Sequence, residues 1–220
     1  MKEGDFVLVD FVGRIKETGE IFDLTIEEVA RENGIHEPDF VYKPVPVIVG
    51  SHMIIKGVED ALMSMNVGEK RTITVKPEEG FGNRSEKLVR LIPISEFKKR
   101  DIDPYPGMPV TINDLQGRVL AISGGRVKVD FNHVLAGKEL EYELEIKKLL
   151  ETVEEKVLAV YSIFVKSREE PKVSFSDGVA EIYLKDDLPR SVKKDIAETV
   201  KKWIKEVKKI RFVEEFELTG

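Results

Sequence analysis

Most side-chain sets that carry covalent or metal chemistry are missing from this chain or too scattered to act. It contains no cysteine, which removes thiolate catalysis, disulfides and cysteine-based zinc sites. His36, His52 and His133 stand singly and far apart, so no metal site and no cofactor are expected. No serine, histidine and aspartate arrangement can be argued from spacing. Gly80-Phe81-Gly82 and Ser123-Gly124-Gly125 are turn glycines, because neither opens a helix with a following Lys-Ser/Thr as a phosphate loop does. No catalytic set stands out of what remains, and periodicity alone reads Phe11, Ile54, Ile55 and Val58 as ordinary core residues.

The chain of 220 residues is 41% hydrophobic and 35% charged, a globular balance that suits one to three compact units. No apolar stretch approaches the roughly 20 residues of a membrane helix. The opening MKEGDFVLVDFVG has no signal-peptide core. A soluble cytoplasmic protein without membrane partners is expected. Net charge is −6 with acids and bases interspersed, so a nucleic-acid surface is not expected. Abundant charge with a single glutamine, Gln116, is the bias of heat-adapted proteins.

The elements that must position any site follow from periodicity. DFVLVDFV reads as a strand. Thr25 and Glu28 have capping-box spacing for a short helix, and Gly34 fits the position past its end. KPVPVIVG is extended, since two prolines forbid a helix. Val58, Ala61, Leu62 and Met65 recur at helical spacing and stop near Gly68; KRTITV alternates as a strand. Residues 109–131 read as three strands broken at Leu115-Gln116-Gly117 and Ser123-Gly124-Gly125. A strand with Leu140, Tyr142, Leu144 and Ile146 on alternate positions follows. Residues 151–220 read as α-β-β-α-β with a tight hairpin at Asp177-Gly178, and as a separate small unit that should dock on something or on itself.

Five segments, VLVDFVGRI, TGEIFD, PVPVIVG, MIIKGVEDALMSMNVGEKRTITVKPEEGFG and FNHVLAGKELEYELEI, together resemble the FKBP family in its SlyD-like, long-flap branch. Residues 151–220 resemble, more loosely, the extra domain of long archaeal-type members. The resemblance implies an α+β fold: an antiparallel sheet around a short helix in residues 1–84 plus 131–150, an insert-in-flap domain in 85–130, mainly β, and a C-terminal α-β-β-α-β domain in 151–220. It implies peptidyl-prolyl cis-trans isomerase activity on proline-containing unfolded or partly folded polypeptides, with chaperone activity from the insert. Carried over by position, Phe22, Asp23, Ile55, Phe81 and Tyr142 would be catalytic. Phe11, Val45, Ile54, Val58 and Gly82 would bind substrate, with the N–H near Ile55 meeting a substrate carbonyl. Asp23 would orient the pocket or meet the twisted amide; its other reading is a turn residue. Phe11 and Phe81 stand where the family usually has Tyr, Val58 replaces a pocket-floor Trp, and Tyr142 returns one hydroxyl.

Such a pocket needs no nucleophile. Amide resonance resists rotation about an X-Pro bond, and the twisted transition state has lost that resonance. Apolar walls exclude the water that stabilises the planar ground state. A gain of about 10⁴-fold asks for only roughly 5.5 kcal/mol of differential binding. In the insert, Leu91, Ile94 and Met108 belong to an apolar set dense for so short a segment. They would hold unfolded chain beside the pocket or fill the insert's own core. An isomerase-inactive chaperone or binding protein acting through 85–130 and 151–220 is the alternative, and the amphipathic helices of 151–220 could form a homodimer.

Overall fold

A computed structural model describes residues 1–214 and divides into two compact units, one of Met1–Val75 with 141–220 and one of Lys76–Leu140. The first is built on a five-stranded sheet. Strand β1 (Phe6–Ile15) pairs with β2 (Ile21–Leu24) and with β3 (Val45–Ile48), both antiparallel. The order β2-β1-β9-β4 is completed by β4 (Lys70–Val75) and β9 (Leu140–Leu150). Phe6, Val7, Val9, Val12 and Ile15 of β1 are buried, as are alternate residues of β9 from Leu140 to Ile146. Helix α1 (Glu27–Glu32) is short and buries Ala30. Helix α2 (Lys56–Ser64) buries Val58, Glu59, Ala61 and Leu62, at the spacing of one helix face. Gly57 lets it approach β4, since a Cβ there would lie 2.8 Å from a Val75 methyl.

Two local expectations differ. The α1 N-cap is Ile26, with no side-chain cap, and Gly34 does follow the helix with a positive φ of 68°. Thr25 is instead drawn into the sheet. Its Oγ1 accepts from the Phe11 N–H at 2.9 Å and donates to Asp10 at 2.8 Å, which wins over capping because the side chain is buried.

The C-terminal segment carries α4 (Val153–Phe164), β10 (Lys172–Ser176), β11 (Val179–Leu184), α5 (Arg190–Trp203) and β12 (Lys209–Glu214), the expected order. Thr152 and Glu155 form the capping box of α4. Asp177 and Gly178 both take positive φ in the β10–β11 turn, and β12 runs parallel to β11. Strand β12 is described through Glu214; the rest of the expected IRFVEEFEL lies outside the described residues. The segment does not stand apart as residues 151–220 were expected to. Val157, Val160, Ile182, Ile196 and Val200 share one continuous core with Phe6 and Ile48, and α4 packs on β3. Five short elements of this kind cannot bury their apolar faces alone, so the sheet body supplies the missing layer.

The second unit starts and ends about ten residues outside the 85–130 span expected for the insert. It holds a four-stranded antiparallel sheet in the order β5-β8-β7-β6: β5 (Val89–Pro93), β6 (Pro109–Ile112), β7 (Leu115–Ser123) and β8 (Arg126–Asp130). The short helix α3 (Ile94–Lys98) follows β5. Its core is Phe97, Val110, Val119, Val127 and Val129. The β6–β7 turn falls at Asn113-Asp114, both with positive φ, rather than at Leu115-Gln116-Gly117. Gly117 is a strand residue, and its missing Cβ makes room for the Phe131 ring, 2.7 Å from where that atom would be.

Candidate functional site

In the first unit three aromatic rings converge. Phe11 on β1 and Phe22 on β2 both contact Tyr142 on β9, with ring centroids 6.0 Å apart for Phe11 and 5.6 Å, edge to face, for Phe22. Gly13 makes this convergence fit. A Cβ on it would lie 2.7 Å from the tip of Phe22 and 3.1 Å from the Tyr142 ring. Glycine inside a strand was the available signal for such a close approach, but nothing in the sequence named what approaches.

Asp23 pairs with Gly13 across β1–β2, which sets it beside this cluster. Asp23 is exposed, although its carboxyl is partly desolvated. Burial raises its carboxyl above the ordinary aspartate value, against the Leu24 N–H and the charge of Lys166, which lower it. Tyr142 is 8% exposed. Burial first, then the nearby Asp23 charge, pushes its phenol up to about 12. Both shifts report a weakly solvated site.

The Thr25 bonds fix the same corner. With the Thr25 N–H donating to the Phe11 carbonyl at 3.0 Å, they lock the end of β2 to β1 on either side of Phe11. Ile55 caps α2, giving its carbonyl to the N–H groups of Val58 and Glu59 at 3.1 Å each. Its own N–H meets no hydrogen-bond partner among the described residues. Ile54 is half-buried and Val58 buried at the start of the same helix, and Val45 pairs with Val9. The preceding loop is held by Glu59, 2% exposed, which accepts from the His52 N–H at 2.9 Å and lies 2.7 Å from its ring Nδ1.

The other expected residues lie in the second unit. Phe81 stacks face to face on His133 with centroids 4.4 Å apart. The Gly82 carbonyl accepts from the Gly137 N–H at 2.8 Å, while its own N–H bonds the Pro77 carbonyl. Leu91 is 60% exposed. Ile94 and Met108 pack against the unit's core. A cavity of about 400 Å³ is lined by Leu91, Ile92, Val110, Ile112 and Phe131 with Arg90 and Arg100, and includes neither Ile94 nor Met108. His36 stacks on Tyr42 and meets Glu27, so none of the three histidines converges with another.

Comparison with known sequences shows the family. Residues 1–98 match the family described as FKBP-type peptidyl-prolyl cis-trans isomerase, and residues 90–135 match the FKBP26 IF domain. A short-type peptidyl-prolyl cis-trans isomerase of Methanocaldococcus jannaschii is 39% identical over 147 residues, 67% of this chain and 92% of the relative. The chain belongs to the FKBP-type peptidyl-prolyl cis-trans isomerase family. Other relatives of this FKBP-type enzyme include a probable FKBP-type 16 kDa isomerase of Pseudomonas fluorescens, 36% identical over 58% of this chain and 89% of its own. A SlyD isomerase of Helicobacter pylori is 30% identical over 61% and 76% respectively. As an FKBP-type isomerase, the chain acts on X-Pro bonds of polypeptides.

Proposed function

We propose that X-Pro rotation occurs against the Phe11, Phe22 and Tyr142 cluster, with Asp23 at its rim and the Ile55 N–H anchoring a substrate carbonyl. The convergence of three rings beside a carboxyl and a phenol that burial has both shifted is the observation that carries this reading. The walls replace water around the amide, so the planar ground state loses solvation that the twisted state needs less. The free Ile55 N–H supplies one directional contact in an otherwise apolar site. Asp23 and the Tyr142 hydroxyl are the polar groups able to follow the amide as it twists.

Residues 85–130 act in this proposal as the holding module. Support comes from Leu91, Ile92, Ile112 and Phe131 along an apolar cavity whose strands β5 and β6 are the two sheet edges, open to strand addition by an extended chain. Ile94 and Met108 contribute through the module's core. A homodimer through 151–220 would need a surface other than the inward faces of α4 and α5, which the shared core occupies; light scattering of the full chain measures its mass.

The deciding experiment follows isomerisation of a short proline peptide and refolding of a proline-limited protein. Phe22→Ala and Asp23→Ala should lower both rates at least tenfold, whereas Leu91→Ser should slow refolding and spare the peptide. Because burial opposes the charged form of Asp23, Asp23→Ala should not lower thermal stability at neutral pH. Peptide rates that stay at the wild-type value in both pocket variants would sink the proposal.

A further inference from the structure

We propose that Arg90 and Arg100 make the cavity of the second unit selective for acidic apolar stretches of unfolded chain. Their guanidinium groups take a Glu or Asp carboxylate of the client while its apolar neighbours enter the cavity. The inference rests on the reading of residues 85–130 as the holding module and names the clients of that module.

The cavity is an opening of the unit's own core. Phe97 and Val110 of that core line it, with the partly buried Ile92, Ile102, Ile112 and Phe131 around them. Strands β5 and β6 stand at opposite ends of the order β5-β8-β7-β6, yet both border it. The sheet therefore curls toward closure, and the cavity lies in the seam between its two edges. An extended chain laid along that seam can pair with an edge while its alternate side chains turn inward. The volume of about 400 Å³ is that of a small ligand pocket, so the occupant is a few apolar side chains and not a folded domain.

Charge decides which apolar stretches suit it. The charged residues lining the cavity are Arg90, Arg100 and Glu96. Glu96 is occupied by Lys99 at 2.8 Å. Neither arginine forms an ion pair among the described residues, and both are exposed. The Arg90 guanidinium lies 5.5 Å from the centre of the Phe131 ring, itself a wall of the cavity. A guanidinium over a ring face keeps its N–H donors for a carboxylate, which it can grip with two parallel bonds. Residues 76–140 hold eleven Lys and Arg against nine Asp and Glu, a net +2 in a chain of net −6. An acidic stretch is therefore drawn to this unit and repelled by the remainder of the chain. A client Lys in the same place meets two unanswered cations. One exposed pair at the strong end of its range changes affinity by about fivefold.

The test measures, by fluorescence anisotropy, the Kd of the full chain for three proline-free peptides. They share one apolar core and carry Glu, Gln or Lys beside it. Wild type should bind the Glu peptide about fivefold more tightly than the Gln peptide, and the Lys peptide most weakly. Arg90→Gln with Arg100→Gln should bring the three Kd values within twofold of one another, and Arg90→Glu with Arg100→Glu should reverse their order. Arg90→Lys with Arg100→Lys keeps the charge and loses the fork, so the order should stay and the spread shrink. Added salt should narrow the wild-type spread. Leu91→Ser should weaken all three peptides alike. If the peptides bind and Leu91→Ser weakens them, but wild type shows no order or the Gln pair leaves the order intact, the acidic selectivity alone is overturned. Wild type that binds none of the peptides also overturns it, and if Leu91→Ser then leaves protein refolding at the wild-type rate, the holding module falls as well.

Discussion

Gly13→Ala adds one methyl at the point where the rim cluster is tightest. The new Cβ would sit 2.7 Å from Phe22 Cζ, 3.0 Å from Phe22 Cε2 and 3.1 Å from Tyr142 Cε1. Carbon atoms prefer about 3.5–4.0 Å, so the Phe22 ring has to retreat by roughly 1 Å. Phe22 is only half-buried, so the ring can swing outward, and the stability cost should fall near the low end of the about 1–3 kcal/mol typical of overpacking. For a body of this size that is a Tm drop of about 3 °C. Activity should suffer more, because the displaced ring is itself a wall of the proposed pocket. Peptide kcat/KM is expected to fall at least tenfold, about 1.4 kcal/mol of transition-state stabilisation. Adding Phe22→Leu removes the colliding ring tip, so the pair should be more stable than the two single losses predict. A Gly13→Ala protein with peptide activity within twofold of wild type would refute the ring placement. So would strict additivity of the two changes.

The shared core and the phenol at the rim give two more. Phe6→Ala deletes a buried ring lying in one cluster with α4, β11 and α5, and should cost about 3–5 kcal/mol; calorimetry and a Trp203 fluorescence melt, which reports on the C-terminal segment, should shift together, and a Trp203 transition left in place would count against a common core. Tyr142 favours its neutral form in the fold, with a folded pKa of about 12 against an unfolded value of about 10. Its stabilising contribution is whole below about pH 10 and is lost as pH rises through about 12, so Tyr142→Phe should flatten the alkaline decline in stability. Ultraviolet titration of wild type against the variant locates the phenol directly; a difference signal centred near pH 10 would mean a solvated hydroxyl.

How much of this was legible beforehand depends on whether the cause is local. Strand alternation in β1 and β9, the helical spacing of Val58, Ala61 and Leu62, the Asp177-Gly178 hairpin and the α-β-β-α-β order arise from short-range periodicity and backbone preference, and all could be read directly. The missing cysteines and scattered histidines excluded thiolate chemistry, and five spaced segments pointed to the family. Thr25 had the spacing of a cap, yet the burial of its hydroxyl beside Asp10 and Phe11 decided its partners. The β6–β7 turn moved to Asn113-Asp114 because strand register, not glycine content, selects which residues take positive φ. Gly13 gained meaning only when Phe22 on β2 and Tyr142 on β9 met over it. The docking of 151–214 on β1 and β3 was likewise a tertiary choice. Sequence patterning determines which face of each element is apolar; which neighbour covers that face depends on contacts between residues more than a hundred positions apart.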